Sequence, residues 1–194
     1  MSDQLKNDIY TVARAMLGSR LYGNIDPAAV CLYTTTEFAH VAMSILSQSD
    51  LDVLCKDYAD HEKRYRDKYK LIGPRPHETG VLWNINEWVR DTTLFDYDER
   101  NGSLWRTFKQ EFPDGSDDHG RLLGIFEAVL ERLESDGAFS TFGSRSNFVV
   151  FPGFVGDPEI DYDVLFGPAV RLNKDKIDDV KMHNLRTYFM EDSQ

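Results

Sequence analysis

The chain has 194 residues, 41% apolar and 12% aromatic, and carries 33 acidic against 22 basic side chains for a formal charge of −11. That length and composition exclude disorder and predict one domain over residues 1–194, with a core large enough to fold without staples. The surplus of acid argues against nucleic-acid and anionic-membrane partners and favours fast, salt-sensitive capture of a basic one.

Leu5, Ile9, Val12 and Met16 recur at helical spacing, which predicts an amphipathic helix over residues 3–22 ending near Gly18 and Gly23. From Ala29 to Ile45 the pattern changes to β-branched and aromatic residues around the polar break Thr34-Thr35-Thr36. Two strands are the first reading, with a helix for the second half as the alternative. Ser49, followed by Asp52, has the spacing of a capping residue and its acid. Leu51, Leu54, Cys55, Tyr58, Tyr65 and Tyr69 then share one helical face, which should stop before the breaker Gly73-Pro74-Arg75-Pro76. Residues 80–90, with Trp83 and Trp88, read as a strand or entry segment.

Ser103 to Phe112 predicts a short helix broken by Pro113. A central helix over about 118–135 has a wide apolar face of Leu122, Leu123, Ile125, Phe126, Val129, Leu130 and Leu133, and Gly137 ends it. Phe139 to Ser146 reads as a turn, Asn147 to Phe151 as a buried strand and Pro152 to Asp163 as a loop, or a loop with a short extended piece. A last helix is expected over Asp175 to Phe189, with Ile177, Val180, Leu185 and Phe189 inward. The fold class that follows is α+β: a small, mostly antiparallel sheet packed against several helices.

The apolar runs fall far short of a membrane span. The first residues lack a charged region followed by an apolar stretch, so no secretory leader is read there. Cys31 and Cys55 are too few for a disulfide framework and sit in apolar settings, so free thiols in a reducing cytoplasm are expected. The five histidines, His40, His61, His77, His119 and His183, lack metal-ligand spacing, and His61-Glu62 misses the second histidine of a zinc-protease helix because residue 65 is tyrosine. Gly143-Ser144-Arg145-Ser146 misses the second glycine of a nucleophile elbow. No catalytic residue, metal or cofactor is therefore assigned.

Charge is unevenly placed. Residues 63–76 hold Lys63, Arg64, Arg66, Lys68, Lys70 and Arg75 against Asp67 alone, whereas residues 146–170 contain no lysine or arginine. The basic stretch reads more simply as an exposed helix end than as a phosphate site, since Tyr65 and Tyr69 share the core-facing stripe. In the second stretch Asp157, Glu159, Asp161 and Asp163 alternate with Pro158, Ile160 and Tyr162. In an extended backbone these carboxylates line one side and repel one another unless a cation neutralises them. The calcium-loop template fails, because Tyr162 and Pro168 stand where it needs glycine and a bidentate acid. A solvated acidic loop is the plain reading; a surface for a basic partner is the functional one. The candidate partner-binding residues are Asp96, Asp98, Glu99, Phe154, Asp157, Glu159, Asp161, Tyr162 and Asp163, each in a stretch that joins clustered carboxylates with aromatics.

Several segments resemble a bacterial family of domain-sized proteins encoded in the neighbourhoods of polymorphic toxins. They are Leu32-Tyr33-Thr34, Leu82-Trp83 with Glu87-Trp88, Asp136-Gly137 after the long helix, Asn147 to Phe151, and Arg171-Leu172-Asn173. The resemblance implies an α+β fold and a cytoplasmic immunity-type protein that neutralises a basic toxin domain by binding it. It brings no catalytic residues. The alternatives are a small hydrolase-like enzyme whose site assembles only in the fold, and an adaptor unrelated to toxins.

Overall fold

In the computed structural model, residues 2–19, 25–35, 38–69, 88, 91–93, 102–113, 116–155 and 162–183 are described. The two strands read around the Thr-rich stretch are present, with Thr34 and Thr35 at the end of the first. β1 (Pro27–Thr35) and β2 (Val41–Ser47) pair antiparallel, from Val30 opposite Ile45 to Thr34 opposite Val41. The Thr34 hydroxyl donates to the His40 carbonyl, and the Ala39 N–H donates to Thr35 Oγ1 at 2.9 Å. These bonds hold Phe38 at φ 52°, a left-handed backbone that costs a non-glycine residue about 1–2 kcal/mol. Its ring, 1% exposed, recovers that cost in the core.

Two further strands complete a four-stranded sheet in the order β3-β2-β1-β4. β3 (Asp91–Thr93) runs antiparallel to β2, and β4 (Val149–Val155) runs parallel to β1, with Ala29 opposite Val149 and Thr35 opposite Val155. The α+β class with a mostly antiparallel sheet is thus what the chain adopts. β2 is buried along its whole length and β1 at all but its last residue, so both sheet faces are covered. That is why these strands read as continuous apolar runs and not as an alternation.

The helices supply the cover. α1 (Ser2–Leu17) turns Leu5, Ile9, Ala13 and Leu17 inward. Val12 and Met16, expected at the centre of that face, flank it half-buried. α2 (Gln48–Tyr69) follows β2 with no loop, and Ser47 rather than Ser49 caps it. The Asp50 N–H donates to Ser47 Oγ at 3.1 Å, and the Ser47 hydroxyl donates back to Asp50 Oδ2 at 2.6 Å. The last residue of the strand therefore doubles as the helix cap. Leu51 and Leu54 pack half-buried on the core; Tyr58, Tyr65 and Tyr69 have side chains outside the described residues. Trp88, 8% exposed, meets Phe151 edge to face at 5.7 Å, while Trp83 lies outside the described residues.

α3 (Ser103–Glu111) and α4 (His119–Ser135) fall where the sequence places them. The seven apolar residues expected on α4 are its buried set, each worth roughly 1.5–3 kcal/mol of burial. Asp118 caps α4 by accepting from the Arg121 N–H at 3.3 Å. Gly137, at φ 71°, closes it in a Schellman turn: Ala138 N–H donates to the Leu133 carbonyl at 2.8 Å and Gly137 N–H to that of Glu134 at 3.0 Å. Single 3₁₀ turns at Ser140–Phe142 and Arg145–Asn147 then bury Phe139, Phe142 and Phe148 against one another.

The last third departs from the simple loop reading. Pro152 to Val155 is extended, the second half of β4. Tyr162–Asn173, of which the loop reading covers only Tyr162 and Asp163, forms a helix, α5, despite Gly167 and Pro168. Leu165, Ala169 and Leu172 dock α5 into the core, which outweighs the local irregularity at Pro168. The expected helix over 175–189 is helical at residues 179–183 within what is described, and Val180, expected inward, is 68% exposed. Leu185 and Phe189 lie outside the described residues. Among the described residues no helix is long and apolar enough to cross a membrane.

Candidate functional site

Parallel pairing puts the carboxyl ends of β1 and β4 together, with Thr35 opposite Val155. Open sheets present ligand-binding loops at such strand ends. An aromatic cluster lies near that end of β4. Phe38 stacks on Phe112 at 5.4 Å and on the His119 ring at 4.9 Å, while Phe154 meets His119 edge-on at 5.0 Å and Phe38 at 6.3 Å. Each ring comes from a different element: the β1–β2 turn, the end of α3, the start of α4 and the end of β4.

Beside the cluster lies a carboxylate with a guanidinium. The Glu111 side chain, 4% exposed, pairs through Oε2 with Arg121, whose guanidinium also lies 4.9 Å from the Phe112 ring centre and 3.8 Å from Asp118. Glu111 Oε1 has no hydrogen-bond partner among the described residues. The side chains of Cys31 and His119 lie on opposite faces of the sheet, since Cys31 pairs with Phe151 and alternation turns Phe154 the other way. A Cys–His pair is therefore not what this corner assembles. Among the described residues no group of His, Cys, Asp or Glu is spaced to hold a metal ion.

Of the candidate binding residues, Phe154 requires correction. It is 8% exposed and serves the aromatic cluster, so it does not stand out as a surface anchor. Tyr162 and Asp163 are likewise not in an extended loop but in the first turn of α5. Asp96, Asp98, Glu99, Asp157, Glu159 and Asp161 lie outside the described residues, and the side chains of Tyr162 and Asp163 do too.

A second polar centre escaped the sequence reading. Arg145, noticed only as part of a failed nucleophile motif, donates to Glu134 Oε1 at 2.9 Å, to the Leu172 carbonyl at 3.1 Å, to Asn173 Oδ1 at 3.0 Å and to the Phe148 carbonyl. Burial lowers its pKa and the Glu134 carboxylate opposes that shift. Lys176 reaches the other oxygen of Glu134 at 2.6 Å. One available signal was Arg145 itself, the last base before a stretch that has none.

On the surface several bases are committed within the chain, while Lys56, Arg106 and Lys174 are exposed. Arg171 grips Glu127 at 2.6 and 2.8 Å, and the hydrogen bond to Glu127 is the largest cause of its raised pKa. Arg14 and Arg132 lie within 3.8 Å of Asp136, with Arg132 also over the Tyr10 ring at 3.8 Å. Asp52, Asp57, Asp60, Asp117 and Asp179 are exposed as well. A shallow groove of about 250 Å³ between α1 and α4 is lined by Asp3, Lys6, Asn7, Ala128, Val129 and Arg132. Comparison with family models, with curated proteins and with solved structures finds no match.

Proposed function

We propose that this protein acts by binding: it captures a basic protein domain of toxin type and blocks it, as an immunity protein does. The disposition of charge supports the reading. Arg14, Arg121, Arg132, Arg145, Arg171 and Lys176 are held by carboxylates of the same chain, while Asp52, Asp57, Asp60, Asp117 and Asp179 face solvent. The chain as a whole carries a net charge of −11. Such a surface steers a cationic partner into encounter and rejects polyanions.

The acidic segment from Asp157 to Asp161 is the proposed contact, because its cluster of carboxylates follows β4 in the sequence with no lysine or arginine between residues 146 and 170. Asp96, Asp98 and Glu99 are the second proposed stretch. The partner's lysines and arginines meet carboxylates at the rim, and a few apolar anchors supply most of the affinity. The test is calorimetry with the protein encoded immediately upstream of this chain's gene, at low and high salt. Replacing Asp157, Glu159 and Asp161 by Asn or Gln should weaken binding about tenfold at low salt, and the gap should narrow as the screening length falls below about 8 Å. Unchanged affinity and salt dependence would make this segment a solvated loop, and no binding at all would remove the reading.

A further inference from the structure

Among the described residues β4 ends the strand order β3-β2-β1-β4, so one side of it faces away from the sheet. In a parallel ladder the N–H and C=O of one residue leave on the same side, and neighbours alternate. The Val150 N–H donates to Asn173 Oδ1 at 2.9 Å, and the Val150 carbonyl accepts from Asn173 Nδ2 at 2.7 Å. Val150 therefore turns its backbone outward, and Pro152 and Phe154 do the same. Pro152 has no N–H to offer, which is why a proline is tolerated at this position of an edge strand.

The Asn173 amide makes the two bonds that a residue of a fifth strand would make. It is 0% exposed and over-determined: Oδ1 also accepts from Arg145 at 3.0 Å, and Nδ2 also donates to the Ala169 carbonyl at 2.7 Å. A flipped amide would face two donors with its own NH₂, so one orientation is fixed. α5 thereby spends its last residue on the strand edge.

We infer that Asn173 is an edge plug: it occupies the positions through which β4 would otherwise add a strand from a second copy of this chain. The apolar, β-prone run Val149-Val150-Phe151 is the kind of edge that pairs with its own copy, and natural sheets block such edges. Here the block has two parts, an amide at Val150 and a missing donor at Pro152. The plug is independent of what the protein binds.

Sedimentation over a range of concentrations tests it, with the wild type, Asn173→Ala, Asn173→Asp and Leu172→Ala compared. Leu172→Ala removes a core side chain next door and controls for destabilisation. Asn173→Asp keeps the acceptor for the Val150 N–H and loses the donor to its carbonyl, so it reads the plug if the alanine variant does not fold. The Asn173 variants should self-associate at least about tenfold more tightly than the wild type, a difference of one decade in Kd. Adding Pro152→Val should strengthen the association further. The inference is overturned if the folded Asn173 variants associate no more than the wild type, or if Leu172→Ala associates as strongly at an equal fall in Tm.

Discussion

Replacing Arg145 by alanine removes a guanidinium that ties four parts of the chain together. Its partners are Glu134 on α4, the Phe148 carbonyl before β4, and the Leu172 carbonyl and Asn173 side chain at the end of α5. Breaking a buried ion pair costs about 3–5 kcal/mol because it strands the remaining charge. Here Glu134 keeps Lys176 at 2.6 Å, and the two side chains are 18% and 20% exposed, so about 2–4 kcal/mol is the reasoned cost. With a urea m-value of about 2 kcal/mol/M, the midpoint should fall by roughly 1–2 M. Arg171→Ala supplies the contrast: its pair with Glu127 is geometrically better but the arginine is 60% exposed, so the loss should be about 1 kcal/mol or less. Arg145→Lys keeps the charge and lacks the planar fork, and should lose most of what alanine loses. Urea denaturation monitored by circular dichroism reads all three. Equal losses at Arg145 and Arg171, or a lysine variant as stable as the wild type, would refute the claim that the geometry of this buried centre holds the layers together.

Gly153→Ala should destabilise by about 1–3 kcal/mol, because the new Cβ would sit 3.0 Å from Cys31 Sγ, and Cys31→Ala should recover most of the lost Tm. Ser47→Ala should cost about 1 kcal/mol as the lost cap of α2, whereas Ser49→Ala should leave thermal unfolding unchanged. The Asp178 carboxyl is held below its usual pKa, first by the Lys181 N–H that donates to it at 2.8 Å. A depressed carboxyl stabilises the fold above its unfolded pKa of about 4 and loses that contribution as pH falls through its lower folded value. Exchange of the Lys181 amide should therefore accelerate, relative to neighbouring amides of the same segment, only below the ordinary carboxylate range.

Legibility followed local determination. α4 was readable to the residue because its apolar face, its Asp118 cap and its Gly137 turn lie within one stretch of sequence. β1 and β2 were readable because both are flanked by polar breaks. β4 beyond Phe151 and α5 were not, since Pro152, Gly153, Gly167 and Pro168 are breakers by local rules. Each is permitted by something distant: a free edge at Pro152, Cys31 pressed against Gly153, and docking of Leu165 and Leu172. The Phe154 misreading has the same origin, for only the turn at Phe38 and the start of α4 make that ring a core residue. The Arg145 centre joins residues up to 42 positions apart, Glu134 to Lys176, and carries no local pattern.

The stoichiometry of neutralisation tests the central claim most directly. The activity of the proposed partner, a toxin on this account, would be assayed at fixed concentration while this chain is titrated into it. A protein that acts by binding predicts loss of activity in proportion to added chain, complete at about one equivalent and restored by high salt. Full loss at a small fraction of an equivalent, growing with time, would mean that the chain destroys its target catalytically and would contradict the account.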